Sequence, residues 1–279
     1  MTLSDADLQT LCEAAVEAAK AAGHYVSETR PKRVGHKDDG VSLAAQVVTE
    51  VDRHSQNLIL EVLAPAITQY DLAVLTEESP DDGGRLLKDY FWCIDPIDGT
   101  LCFIEGLPGY AVSIALVSRE GVPTVGVVYD PIQHVVYRAI RGGGAFRNGK
   151  PWKVALGMET SKPTIFSDRS EAERASFEPV ARALNATRGL QGGAVMNAVW
   201  CLEHSPACYF KFPKAQRGGG CFWDFAATAC IYVEAGAWVS DAQGAPLHFD
   251  STDNTYLNHC GILYASHEAL ARQVLESRG

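Results

Sequence analysis

The eight cysteines and eight histidines include no Cys-x-x-Cys pair, no His-x-His or His-Glu-x-x-His spacing and no cysteine–histidine cluster, which excludes the usual zinc sites. The glycine runs at 142–144 and 218–220 fit neither the dinucleotide fingerprint nor the phosphate-loop pattern, so nucleotide binding through either motif has no support. Long apolar runs are also missing. The longest, Ala111–Val117, is broken by Ser113 and falls far short of the roughly 20 residues a membrane-spanning helix needs. Positive charge is scarce, with 24 Lys+Arg against 34 Asp+Glu and a formal net charge of -10. A protein that coats a nucleic acid polymer neutralises phosphates with Lys and Arg, and this balance argues against one. The start, MTLSDADLQT, has no basic segment followed by an apolar one, so a cytoplasmic protein with free, buried thiols is expected.

What the sequence does contain is globular. Hydrophobic residues make up 47% and charged residues 21% of 279 positions, enough chain for one large domain or two packed subdomains. Leu8, Leu11, Cys12, Ala15, Val16 and Ala19 recur at helical spacing, which predicts a helix over residues 5–25 with Ser4 as its cap. The polar stretch 31–45 reads as an exposed loop, and a second helix is expected to start near Asp52. The pattern then changes. YFWCID (90–95), YAVSIALVS (110–118), TVGVVYD (124–130) and HVVYRAI (134–140) read as successive strands, and Asn148-Gly149 as a hairpin turn. Strands at 164–167, 237–241 and 261–266 then alternate with helices near 171–184, 193–204 and 223–235. Strands first and alternation later predict an antiparallel α+β half followed by an α/β half. The division falls within 153–163, giving subdomains 1–155 and 156–279.

Chemistry concentrates in the acids. In FWCIDPIDGT, Asp95 and Asp98 bracket Pro96-Ile97 directly after an apolar strand. A strand ending in Asp95 and a turn at Pro96 would bring Asp98 back beside it, with the carbonyl of Ile97 between them. Two carboxylates so close disfavour joint ionisation unless a cation joins them. A hard divalent ion such as Mg²⁺ suits oxygen ligands. Gly99 and Thr100 follow, where backbone amides could meet a phosphate oxygen. The hexapeptide alone fits an Asp-rich turn capping a helix equally well. Glu77 in EES, Asp224 in CFWDFAATA and Asp52 in VVTEVD each also read, taken singly, as a loop acid or a helix cap.

Taken together, VTEVD (48–52), EES (77–79), DPIDGT (95–100), WDFAAT (223–228) and EAG (234–236) resemble, in that order, the inositol monophosphatase family. That family belongs to the lithium-sensitive, magnesium-dependent phosphatases, which include the 3'(2'),5'-bisphosphate nucleotidases. The resemblance implies a five-layered αβαβα sandwich with the site where two subdomains meet. It implies two or three Mg²⁺ per site, held by Glu77, Asp95, the Ile97 carbonyl, Asp98 and Asp224. Asp98, Gly99 and Thr100 would bind phosphate, while Asp52, Thr100 and Glu77 would serve the attacking water. No covalent intermediate is implied, and two cations would stabilise the attacking and leaving oxygens. A homodimer and inhibition by Li⁺ are further implications.

The substrate is less legible. Relatives acting on inositol phosphate often carry an acid a few positions before the WD motif, yet no Asp or Glu lies between Cys208 and Phe222. Lys211, Lys214 and Arg217 stand there instead and could hold a second phosphate, or could be ordinary solvated cations. A small phosphate ester of the inositol monophosphate type is expected. Alternatives are a bisphosphate nucleotidase, another sugar phosphatase such as a fructose-1,6-bisphosphatase, a histidinol phosphatase, or a catalytically silent scaffold relative. Lys37 and Asp38, before VTEVD, are candidates for closing the site or holding a third metal.

Overall fold

The computed structural model describes residues 2–29, 34–36, 47–154, 161–168 and 171–277. Lys37, Asp38 and most of the loop expected at 31–45 lie outside them. The exception is Val34–His36 (β1), a short strand that pairs antiparallel with Val47–Thr49 (β2) where an exposed loop was expected.

Helix α1, Asp5–Glu28, starts where expected and runs three residues further. Ser4 and Asp7 close a capping box at its start, with Ser4 N donating to Asp7 Oδ2 at 2.9 Å. Helix α2, Glu50–Gln69, begins two residues before Asp52. A seven-stranded sheet follows in sequence order. It comprises β3 (Ala73–Thr76), β4 (Tyr90–Asp98), β5 (Ala111–Ser118), β6 (Pro123–Asp130), β7 (Val135–Ile140), β8 (Gly144–Arg147) and β9 (Lys150–Trp152). Only β3 and β4 are parallel. Asn148 and Gly149 form the expected hairpin turn, both at positive φ. Helix α3, Thr100–Glu105, is a short link between β4 and β5.

The second sheet has strand order β11-β10-β12-β14-β13. Its strands are β10 (Thr164–Phe166), β11 (Thr187–Arg188), β12 (Ala207–Lys211), β13 (Trp238–Ser240) and β14 (Ile262–Ala265). The helices of this half are α4 (Glu171–Ala183), α5 (Ala194–Glu203), α6 (Phe222–Ala235) and α7 (Glu268–Glu276).

The layers follow from side-chain alternation. Trp92 and Ile94 of β4 point toward α1 and α2, packing with Leu11, Ala15, Ile59 and Leu63. Phe91 and Cys93 point the other way, into a core with α5, α6 and the inner residues Tyr209 and Tyr264 of the second sheet. The outer face of that sheet, with Ile165, Cys208 and Leu263, is covered by Phe177 and Val180 of α4 and by Leu270 and Val274 of α7. The protein is thus an αβαβα sandwich. Strands β4, β5 and β6 are buried on both faces, so their sequences read as continuous apolar runs rather than as alternation. All eight cysteines are free thiols.

Candidate functional site

Strand β4 does not end at Asp95, as the sequence suggested, but continues to Asp98. Against β5, Asp95 pairs with Ser113 and Asp98 with Ala111, with a register shift between them. Three steps on one strand match two on the other, which is a β-bulge. In a regular strand residues three apart face opposite ways; the extra residue turns Asp95 and Asp98 to the same side. Asp95 Oδ1 accepts Ile97 N at 3.0 Å, which stabilises the bend.

Asp98 reaches across to the second half. Its Oδ1 accepts Ala194 N at 3.0 Å and its Oδ2 accepts Val195 N at 2.9 Å, the first amides of α5. A negative group at a helix N-terminus meets both unsatisfied donors and the helix dipole. Two glycines make this approach possible. A Cβ on Gly193 would lie 2.2 Å from Asp98 Oδ2. Gly99 has φ +83°, and its Cβ would lie 2.5 Å from Gly109 O.

Asp224 stands in the first turn of α6, where its carboxylate accepts Cys221 N in a capping box. Carboxylate oxygens of Asp95, Asp98 and Asp224 lie within 4.8 Å of one another. Glu77 follows β3 and extends the parallel ladder, its N donating to Ile94 O at 3.2 Å. Its half-buried carboxyl hydrogen-bonds that of Asp95.

The electrostatics follow from this crowding. Burial raises Asp95 well above the usual carboxylate range, and Glu77, Asp98 and Asp224 raise it further. Burial and then Asp224 raise Asp98, opposed by the Val195 amide. Asp224 is pushed up to about 7 by burial and Glu77, against the pull of Lys211. Three carboxylates this close, with half-buried Glu77 against Asp95, are stable in ionised form only around a cation. The donors are all oxygen. The neighbouring thiols of Cys93 and Cys221 are held protonated, chiefly by burial. This set fits a hard divalent cation and not a soft one.

The buried hydroxyl of Thr100 donates toward Asp52 Oδ1 at 3.2 Å and toward Ile97 O at 3.1 Å. Asp52 belongs to a buried polar face of α2 that the sequence reading did not resolve. Ser55 Oγ, one helical turn on, donates to Pro96 O at 3.1 Å, and Gln56 beside it is 6% exposed. Three polar residues at i, i+3 and i+4 on an otherwise inward-facing stripe were the available signal.

Lys211 and Asp168 were separated in the sequence reading, which singled out only the first. Strands β10 and β12 are parallel, with Phe166 opposite Tyr209, so the same register carries residue 168 next to residue 211. Lys211 Nζ forms an ion pair with Asp168 Oδ2, and Asp168 Oδ1 accepts Tyr209 Oη at 2.7 Å and Asn197 Nδ2 at 2.9 Å. The ammonium lies 5.7 Å from the centre of the Phe225 ring. Lys211 is 8% exposed. Lys214 and Arg217 are exposed, Arg217 lying over the Tyr256 ring at 4.7 Å. A groove of ≈ 420 Å³ lined by Val122, Arg141, Cys230, Val233 and Trp238 contains none of the acids.

No helix among the described residues is long and apolar enough to cross a membrane. A model of the inositol monophosphatase family matches residues 7–278. An inositol-1-monophosphatase of Synechocystis sp. is 32% identical over 250 residues, covering 88% of this chain and 83% of its own. The Nus factor SuhB of Pseudomonas aeruginosa is 30% identical over 246 residues, covering 85% and 88%. Among solved structures, an inositol monophosphatase from Anabaena (Nostoc) sp. superposes with a TM-score of 0.72 at 25% identity, over 96% of each chain.

Proposed function

The chain belongs to the inositol monophosphatase family of phosphoric monoester hydrolases, and from that premise we propose that it is a Mg²⁺-dependent phosphomonoesterase acting on a small ester of the inositol monophosphate type. The observation that carries this reading is the convergence of Asp95, Asp98 and Asp224 within 4.8 Å, with Glu77 bonded to Asp95. Glu77, Asp95, Asp98, Asp224 and the carbonyl of Ile97 are the groups that would hold the cation, two or three per site. When bound, divalent cations supply charge neutralisation and Lewis-acid polarisation of the phosphoryl group.

The chain's own residues do the rest. The backbone at Gly99 and Thr100, beside Asp98, receives the phosphate oxygens. Thr100 Oγ1 accepts a hydrogen bond from the attacking water while Asp52 Oδ1 holds the hydroxyl proton. Water oxygen bonds to phosphorus as the bond from phosphorus to the ester oxygen breaks; one water proton passes through Thr100 toward Asp52, and the departing alkoxide takes a proton from solvent to leave as the alcohol. Glu77 fixes the acidic wall on the side of β3. No side-chain nucleophile takes part, consistent with cysteines held as thiols.

Lys211, Lys214 and Arg217 are the substrate contacts in this reading. The buried charge of Lys211 favours, as a second reading, a substrate with a further anionic group, such as a 3'(2'),5'-bisphosphate nucleotide. Li⁺ inhibition, a homodimer and a cytoplasmic setting accompany the family assignment. Phosphate release from inositol monophosphate and from adenosine 3',5'-bisphosphate, with Mg²⁺ and with added Li⁺, tests the reading directly. Turnover is expected to require Mg²⁺, and Asp98→Asn is expected to lower it about a thousandfold with the fold intact. Undiminished turnover in that variant removes Asp98 from the mechanism. Absence of turnover on every ester favours a silent relative.

A further inference from the structure

Acids crowded at one buried point repel, and the one on the least constrained segment should move away first. That one is Glu77, since Asp95 and Asp98 sit within a sheet strand and Asp224 within a helix. The ladder of β3 makes its last bond at Glu77 N. The next amide, Glu78 N, points away from β4. Gln56 of α2 meets it. Its Oε1 accepts Glu78 N at 3.2 Å and its Nε2 donates to Ser79 Oγ at 2.9 Å. Further along the same segment Arg85, 3% exposed, donates from Nε to Asp81 Oδ2 at 2.7 Å and from Nη1 to Ser251 O at 2.8 Å. The stretch 77–85 is thus tied down at both ends, and the nearer tie lies one residue from Glu77.

The amide chemistry of Gln56 fits the task. One neutral side chain supplies both an acceptor and a donor, so it fastens the segment without adding a fifth negative charge to the cluster.

We propose that Gln56 is a positioning residue that holds the Glu77 carboxylate against Asp95 and thereby sets the affinity of the site for divalent cations. This rests on Glu77 being a cation ligand, as in the function proposed above. Mg²⁺ binding to the full chain, measured by titration calorimetry without substrate, tests it in a double-mutant cycle. Gln56→Leu is expected to weaken binding about tenfold, the lower end for groups that orient a ligand. Ser79→Ala, at an exposed residue that leaves the Glu78 bond in place, is expected to weaken it about threefold. In a Glu77→Gln background neither substitution should change the affinity further. Effects that multiply independently of Glu77 would overturn the proposal and leave Gln56 a purely structural residue. If Glu77→Gln weakens binding but Gln56→Leu and Ser79→Ala bind as the unaltered chain does, this inference alone fails. If Glu77→Gln binds Mg²⁺ normally, the ligand role of Glu77 falls, and this inference with it.

Discussion

Asp95 and Asp98 reach the acidic cluster on a single strand, three residues apart, their shared direction set by one bulge against β5. The second half supplies Asp224 from a helix start and the paired Asp168 and Lys211 from two neighbouring strand ends, and no local pairing ties the helix start to the strand ends. The first arrangement depends on sheet pairing, which is stiff. The second depends on how α5 and α6 seat against the first half. Asp98 is the joint, because its carboxylate belongs to the first sheet and takes the leading amides of α5. The comparison teaches that the weakest geometric tolerance lies between the halves and not within either.

Among changes that leave every carboxylate in place, Gly193→Ala should break that joint with the largest effect. The added methyl has no room beside Asp98 Oδ2, so either the carboxylate turns or α5 withdraws. A displacement of about 1 Å at a reacting centre costs on the order of a hundredfold. Turnover should fall by that factor while far-ultraviolet circular dichroism remains unchanged. Near-normal turnover would mean that the approach of α5 to Asp98 does not matter to the chemistry.

Within the second half, the three cations can be ranked. Lys211→Met strips the cation from half-buried Asp168, which keeps only its neutral donors Tyr209 and Asn197 close to the cluster. We expect KM for the preferred ester to rise about tenfold, the scale of one lost charge-assisted contact. Lys214→Ala and Arg217→Ala alter exposed, solvent-screened side chains and should change KM about twofold. Equal effects at all three positions would move the substrate end outward to the loop before α6.

This contrast also explains what the sequence disclosed. DPIDGT places its acids, its bend and its glycine in six consecutive residues, so local chemistry pointed to it. The layers were legible because helical and strand periods differ, and because doubly buried strands appear as apolar blocks. The bulge was not legible, since it is defined only by pairing with β5. Strand β12 was overlooked because ACYFK was read for its cation and not for its burial. Asp168 was not singled out in the sequence; its meaning arises from the parallel register with residue 211. Gln56 is legible only as one of three polar residues on the inner stripe of α2, and its role arises from the amide of Glu78 beside it. Long-range pairing supplies all of these, and a single sequence does not encode it in any short window.

The smallest effect separates the two halves by protonation. In the cation-free chain Asp95 and Asp98 are raised well above the usual range and Asp224 to about 7. An unfolded Asp titrates near 3.9, so between these values the folded chain binds more protons than the unfolded one. Stability from these groups is therefore full below about pH 4 and lost as pH rises through their folded values. With a chelator present, Tm should fall by several degrees from pH 5 to pH 8. Mg²⁺ should restore most of the loss at pH 8 and do little at pH 5, where protons compete for the same oxygens. Asp224→Asn should remove the part of the decline that ends near pH 7, and Asp95→Asn the part contributed by the bulged strand. A Tm in chelator that stays level across this range would mean that the acids of the two halves do not share one buried site.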